Sequence, residues 1–154
     1  MRTWQLFPLR VRYQETDRMG VVYHVNYANW FEIGRTEWVR RAGVTYRELE
    51  ESGLMLPVVE LHIEFVRPAG YDDVVTVCTA VGSWSPLRVQ FLSYVVAGDQ
   101  TVAHGTAFRG EEPPGDRLAY GGTQHVWVSR DWKPVRLDRA APDLYARLTA
   151  WAKG

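Results

Sequence analysis

The sequence predicts an α+β domain in which an antiparallel sheet packs on one long amphipathic helix. Two observations carry this. Segments of alternating or β-branched apolar residues recur between short turns. One uninterrupted stretch instead has helical periodicity: Tyr27, Trp30, Phe31, Trp38 and Ala42 fall at i, i+3, i+4, i+11 and i+15. The order is one strand, the long helix, and then a meander of strands.

Residues 7–14 (FPLRVRYQ) alternate Leu9, Val11 and Tyr13 against Arg10 and Arg12, which predicts the first strand. Asn26 is positioned to cap the long helix, and Gly43 supplies its stop signal. Glu32, Arg35, Thr36, Arg40 and Arg41 are expected mostly on its solvent side. Thr45 and Glu48 have capping-box spacing, opening a short helix that Gly53 ends. From 58 to 66, Val59, Leu61, Ile63 and Phe65 alternate with Glu60, His62 and Glu64, as in a half-buried strand. Pro68, Gly70, Asp72 and Asp73 make a turn. Residues 74–81 and 88–96 are further strands, separated by a turn at 82–86. Thr101 to Phe108 resembles a strand, and residues 127–137 are expected to finish the sheet. Pro142 opens a closing amphipathic helix with Leu144, Tyr145, Leu148 and Trp151 on one face.

With 154 residues the chain has the length of one domain. Its 18 basic and 18 acidic residues balance, so no global field favours nucleic acid or an anionic membrane, and any anionic ligand needs a local patch. The first 13 residues contain neither a signal-peptide core nor a membrane span. A single cysteine, Cys78, cannot form an internal disulfide and reads as a small buried hydrophobe, which suits a reducing, cytoplasmic setting. Seven Trp and eight Tyr need a core or an interface to cover them, and oligomerisation is the economical answer.

The chemistry concentrates just before the long helix. Amides near His24 to Ala28 point out of a positive helix end, and Asp17 stands upstream in a loop broken by Gly20. A carboxylate there, with Tyr13 and His24 near in sequence, could attack a polarised carbonyl or activate water against it. By residue type alone Asp17 reads as a turn residue, His24 as a packed polar residue, and Asn26 as a cap. Tyr13 reads equally as the last core residue of the first strand or as a site residue. His62, His104 and His125 sit in strand-like segments without metal-site spacing, and no G-x-S-x-G elbow is present.

The run Thr16, Asp17, Gly20, Val21, Val22, Tyr23, His24, Asn26 and Tyr27, followed by Glu32 and Arg35 on an aromatic helix, resembles the hotdog-fold acyl-CoA thioesterases. Within them it is most similar to the 4-hydroxybenzoyl-CoA thioesterase family, including its Tol-Pal-associated bacterial branch. The resemblance continues through LPVVELHIEFVRPAGYDDVVTV and returns at LAYGGTQHVWV. It implies a sheet of about five strands wrapped round the long helix, and hydrolysis of an acyl-CoA without metal or redox cofactor. It also implies a homodimer or homotetramer with sites at the dimer interface. Asp17 falls on the family's catalytic carboxylate. His24 falls where one branch has His and the other an aromatic residue, so its amide is the better oxyanion donor. Asp17, His24 and Tyr13 are thus candidate catalytic residues; Gly20, Val22, Tyr23, Asn26 and Tyr27 are candidate substrate-binding residues. Residues 98–117 exceed a tight hairpin and add one or two strands or lengthen their neighbours. A hotdog hydratase or dehydratase, or a non-catalytic acyl-CoA-binding module, are the alternatives; the first usually uses a His-centred site, and the second has no need of Asp17.

Overall fold

The computed structural model describes every residue from Met1 to Gly154. The chain forms β1 (Arg2–Arg10), a 3-10 turn (Tyr13–Glu15), α1 (Asn26–Arg41), α2 (Tyr46–Glu51), β2 (Leu54–Met55), β3 (Val58–Phe65), β4 (Val74–Trp84) and β5 (Arg88–Ala97). Then come a one-turn helix α3 (Thr101–His104), β6 (Ala107–Gly110), β7 (Arg117–Val126), β8 (Val128–Ser129), a one-turn α4 (Leu137–Ala140) and α5 (Pro142–Lys153). Six strands make one antiparallel sheet in the order β3-β7-β5-β4-β1-β6. No helix is long and apolar enough to cross a membrane.

The helix α1 lies across one face of this sheet. Tyr27, Trp30, Phe31, Gly34, Arg35, Trp38 and Val39 are its buried residues, a continuous i, i+3, i+4, i+7, i+8, i+11, i+12 stripe. Close approach is possible because Gly34 has no side chain: a Cβ there would stand 2.2 Å from Thr79 Oγ1 and 2.9 Å from Val77 Cγ1. The apolar groups that meet at this seam form two clusters, one round Trp30 and Phe31 and one round Trp38, Phe91 and Trp127. A third cluster of Trp4, Leu6, Cys78, Ala80 and Val96, with Phe108 packed on it, lies apart from the other two. Burial pushes the Cys78 thiol pKa up, so this cysteine is inert packing.

Several sequence expectations are corrected. The first strand runs from Arg2 to Arg10 rather than 7–14, and Tyr13 leaves it for a 3-10 turn, 76% exposed. Arg35 belongs to the buried stripe, not the solvent side. The strand at 58–66 is exposed on both faces along β3, with Ile63 alone half-buried, because α1 packs mainly on β1, β4 and β5 and β3 is the edge beyond its cover. β4 continues through the expected turn to Trp84 across a bulge between Val81 and Ser83. Thr45 does cap α2, accepting from the Glu48 amide at 3.0 Å, but the Glu48 carboxylate pairs with Arg147 of α5 instead of closing a capping box. Residues 127–137 do not extend the main sheet; β8 pairs with β2 as a separate two-stranded ribbon. The segment 98–117 supplies α3, which ends at His104, and β6, which pairs with β1 on the far edge rather than with a sequence neighbour.

His125 of β7 is buried at 2% exposure. Its Nδ1 stands 3.1 Å from the Leu56 carbonyl and its Nε2 2.7 Å from Thr123 Oγ1. A carbonyl only accepts, so Nδ1 carries the proton and the neutral ring accepts from the Thr123 hydroxyl. Burial pushes the His125 pKa down to about 4, with the Arg35 charge adding to it against the Leu56 hydrogen bond. Between pH 6.5 and about 4 the unfolded chain therefore binds a proton at this position that the folded chain refuses. Stability is full above pH 6.5 and declines as pH falls towards 4, by about 3 kcal/mol from this group. Urea unfolding across that range should show the decline, and His125→Gln should flatten it.

Candidate active site

The loop from Arg12 to Val25 is held by one buried carboxylate. Glu15 is 6% exposed and its two oxygens accept separately, Oε1 from the Arg12 amide at 2.8 Å and Oε2 from Trp30 Nε1 at 2.8 Å. Its main-chain carbonyl accepts from the Tyr23 amide at 2.8 Å and from Asn26 Nδ2 at 2.9 Å. The loop entrance, its exit and the first turns of α1 are thus tied to one residue. Sequence reasoning missed Glu15, since a Glu in a polar loop looks solvated and its donor Trp30 lies on the helix.

Between these ties the chain makes a tight turn. Thr16 bridges Val22, the Asp17 amide donates to Val21 O at 2.9 Å, and the Gly20 amide returns to Asp17 O at 3.0 Å. Gly20 closes the turn at φ +82, where a side chain is disfavoured. Asp17 Oδ1 accepts from the Met19 amide at 2.9 Å, which fixes the carboxylate and leaves Oδ2 without a partner in the chain. The Val22 amide donates to Ala69 O at 2.8 Å, and Val21 bridges Gly70, so the turn is laced to the segment after β3.

Asn26 is not the helix cap. Val25 precedes the first helical residue with helical dihedrals and caps nothing by its side chain, while Asn26 spends its amide on Glu15. The amides of Asn26, Tyr27 and Ala28 donate to Tyr23, His24 and Val25 carbonyls at 2.9, 3.2 and 3.1 Å. That leaves the His24 and Val25 amides without an acceptor in the chain, at the positive end of a 16-residue helix.

A cavity of about 250 Å³ opens at this helix end, bordered by Asp17, His24 and Arg67 and walled by Val22, Tyr27 and Phe65. The Phe65 ring stands edge-on to Tyr27 at 5.3 Å and to His24 at 6.3 Å, and Tyr23 covers the other side of His24 at 4.7 Å. Burial raises the Tyr27 phenol pKa, partly opposed by a backbone hydrogen bond at Ala69. Arg67 also pairs with Asp116 at 3.5 Å on the surface. Four larger hollows, of about 310, 450, 400 and 300 Å³, lie elsewhere, and none is lined by Asp17 or His24.

Of the residues singled out from sequence, Asp17, Val22, His24 and Tyr27 thus border one cavity. Gly20 shapes its turn, and Tyr23 flanks it through the His24 ring. Tyr13 stands outside, packed edge-on against Tyr71 at 5.5 Å. Arg67 and Phe65 join the site because the segment after β3 folds back on the Asp17 turn, a long-range contact with no local signal. No group of three or more His, Cys, Asp or Glu side chains is close enough to share a metal ion.

Comparison with known proteins places this architecture. Residues 11–133 match the model of the thioesterase-like superfamily. A putative acyl-CoA thioesterase, YneP, of Bacillus subtilis is 29% identical over 146 residues, covering 94% of this chain and 93% of the relative. Acyl-CoA thioesterase YbgC of Haemophilus influenzae is 43% identical over 86 residues, 55% of this chain and 63% of the relative. Among solved structures, a DHNA-CoA thioesterase from Staphylococcus aureus superposes with a TM-score of 0.79 at 30% identity, covering 97% of this chain and 93% of the other. The chain therefore belongs to the thioesterase-like superfamily, and its sheet wrapped on α1 is the hotdog fold.

Proposed function

We propose that this chain hydrolyses acyl-CoA thioesters to a free acid and CoA. The observation that carries the reading is the meeting, at one cavity, of a carboxylate with a free oxygen and a helix end with two free amides. Relatives named as acyl-CoA thioesterases support the substrate class.

In this reading the thioester carbonyl lies over the start of α1, and the His24 and Val25 amides donate to the oxygen as it gains charge. One such donor is worth ~3 kcal/mol in the transition state. Asp17 either attacks the carbonyl carbon, expelling the CoA thiolate and leaving a mixed anhydride that water cleaves, or takes a proton from water that attacks instead. The thiolate is a good leaving group, so the reaction calls on no metal or redox cofactor. Glu15 acts through the loop rather than on substrate: the four hydrogen bonds that its oxygens accept hold Asp17 and the helix end in register.

The working unit in this reading is a dimer. β3 is the long free edge of the sheet, and Val59, Leu61 and Phe65 along it are 50%, 48% and 53% exposed. Phe65 also walls the cavity, so a second copy paired along β3 covers the edge and closes the site together. Cys78, buried and unpaired, suits a reducing cytoplasmic compartment.

Asp17→Asn should leave the melting temperature unchanged and lower kcat for a hydrolysed acyl-CoA by ~100-fold or more, the scale of a lost acid-base group. Thiol release followed with a disulfide reagent measures this, and ordinary turnover would refute the assignment. Glu15→Gln turns an NH₂ towards a donor and should cost about 1–3 kcal/mol of stability. Its kcat should fall less than that of Asp17→Asn, as thermal denaturation and the same assay would register.

A further inference from the structure

The interior strands β1 and β4 separate before either ends. Their ladder runs from Arg10↔Val74 to Gln5↔Thr79 and stops there. Beyond it, Arg2, Thr3 and Trp4 pair only with β6, and β4 pairs only with β5 across the bulge between Val81 and Ser83. Continued, the register would set Thr3 against Val81 and Arg2 against Gly82. Those four residues instead border a cavity of about 310 Å³, which Gln5, Arg109 and Lys153 also line. Trp38 stands at its wall, eleven residues along α1 from Tyr27 and hence about 17 Å away. This cavity shares no lining residue with the one at Asp17.

The free polar groups at this gap are donors. Gln5 is 7% exposed, and its Oε1 accepts from Arg41 at 3.1 Å. Its Nε2 has no acceptor in the chain yet is not sealed from solvent, so this otherwise buried amide is left facing the cavity that Gln5 borders. Thr3 and Arg109 stand opposite each other in the β1–β6 ladder and share the Gln5 face. The side chains of Arg2, Arg109 and Lys153 form no ion pair or hydrogen bond within the chain. The anionic groups beside them are engaged: Glu111 pairs with the Met1 amine at 3.2 Å, and the Gly154 oxygen accepts from Thr3 Oγ1 at 2.8 Å.

We propose that the gap between β1 and β4 is a second ligand site, which takes a small polyanion of the phosphate class, a phosphate ester or a diphosphate, on Arg109, Lys153 and the Gln5 amide. Guanidinium forks match phosphate oxygens two at a time, and several free cations suit a group with two or more negative charges better than a monocarboxylate. A water needs roughly 10–15 Å³ of such space, so the cavity has room for more than a lone phosphate ion. It lies on the β6 side of the sheet, away from the β3 edge, and stays open when two copies join there.

Calorimetric titration with pyrophosphate at constant ionic strength tests this. The parent should bind it, and Arg109→Gln combined with Lys153→Gln should raise the Kd by about ten-fold or more, the scale of one lost charge-assisted contact. Gln5→Glu keeps an oxygen for Arg41 and turns an anion towards the ligand, so it should weaken binding as strongly. Lys133→Gln combined with Arg139→Gln removes the same charge from surface outside the cavity and should change the Kd by less than about two-fold, because solvent screens such distant charges. A parent that binds no pyrophosphate, an Arg109→Gln/Lys153→Gln protein that binds as tightly as the parent, or an equal loss in the control pair overturns the inference. Binding is read without turnover, so the hydrolase reading and this one fail separately.

Discussion

A carboxylate taken out of water must be met by donors, and the geometry around α1 follows from how Glu15 meets that demand. Its oxygens take the Trp30 indole and the Arg12 amide, so the position of the helix and the start of the loop are fixed by one group. The Glu15 carbonyl then fixes the loop's end through Tyr23 and Asn26. With both ends held, the Asp17 turn has only the few residues to Val22 in which to form, and Gly20 lets it close. Charge-assisted hydrogen bonds of this kind are worth about 1.5–3 kcal/mol each, enough to make the loop part of the folded core instead of a mobile connection.

The same helix is seated from below by absence of volume. Gly34 brings α1 onto β4, and the aromatic residues on either side of it fill the space that the twisted sheet leaves towards its ends. A rod held this closely cannot tilt without lifting Trp30 from Glu15. Packing on the sheet and polar order in the loop are therefore one mechanical unit, and its open end carries the two free amides.

Much of this was legible in the sequence, and the failures share a cause. The aromatic stripe of α1 and the strands at 58, 74 and 88 were visible because their period is written locally in the residues. Partners distant in sequence were not. Nothing local says that Ala107–Gly110 pairs with β1, or that Glu15 meets Trp30. Residue type alone puts Arg35 in solvent, although it stands at i+8 from Tyr27 on the very face that is buried. Type likewise makes Asn26 a cap, whereas its side-chain amide donates to the Glu15 carbonyl. At the site, the motif pointed to the region round Asp17, but the cavity's far wall, Phe65 and Arg67, depends on a tertiary fold-back.

The strand β6 gives the sheet a direction of growth. Four residues long, it lies over the amino-terminal part of β1 and ends in a loop whose Glu111 binds the chain's own amino terminus. That rim is short, charged and already used, while the opposite rim is long and bare. Sheets add to one another rim to rim, and a molecule with a single adhesive rim can satisfy it only once. A pair of copies joined along β3 would bury that rim and leave only the short, charged one outside, so an oily strand exposed on one side alone gives no route to a fibre.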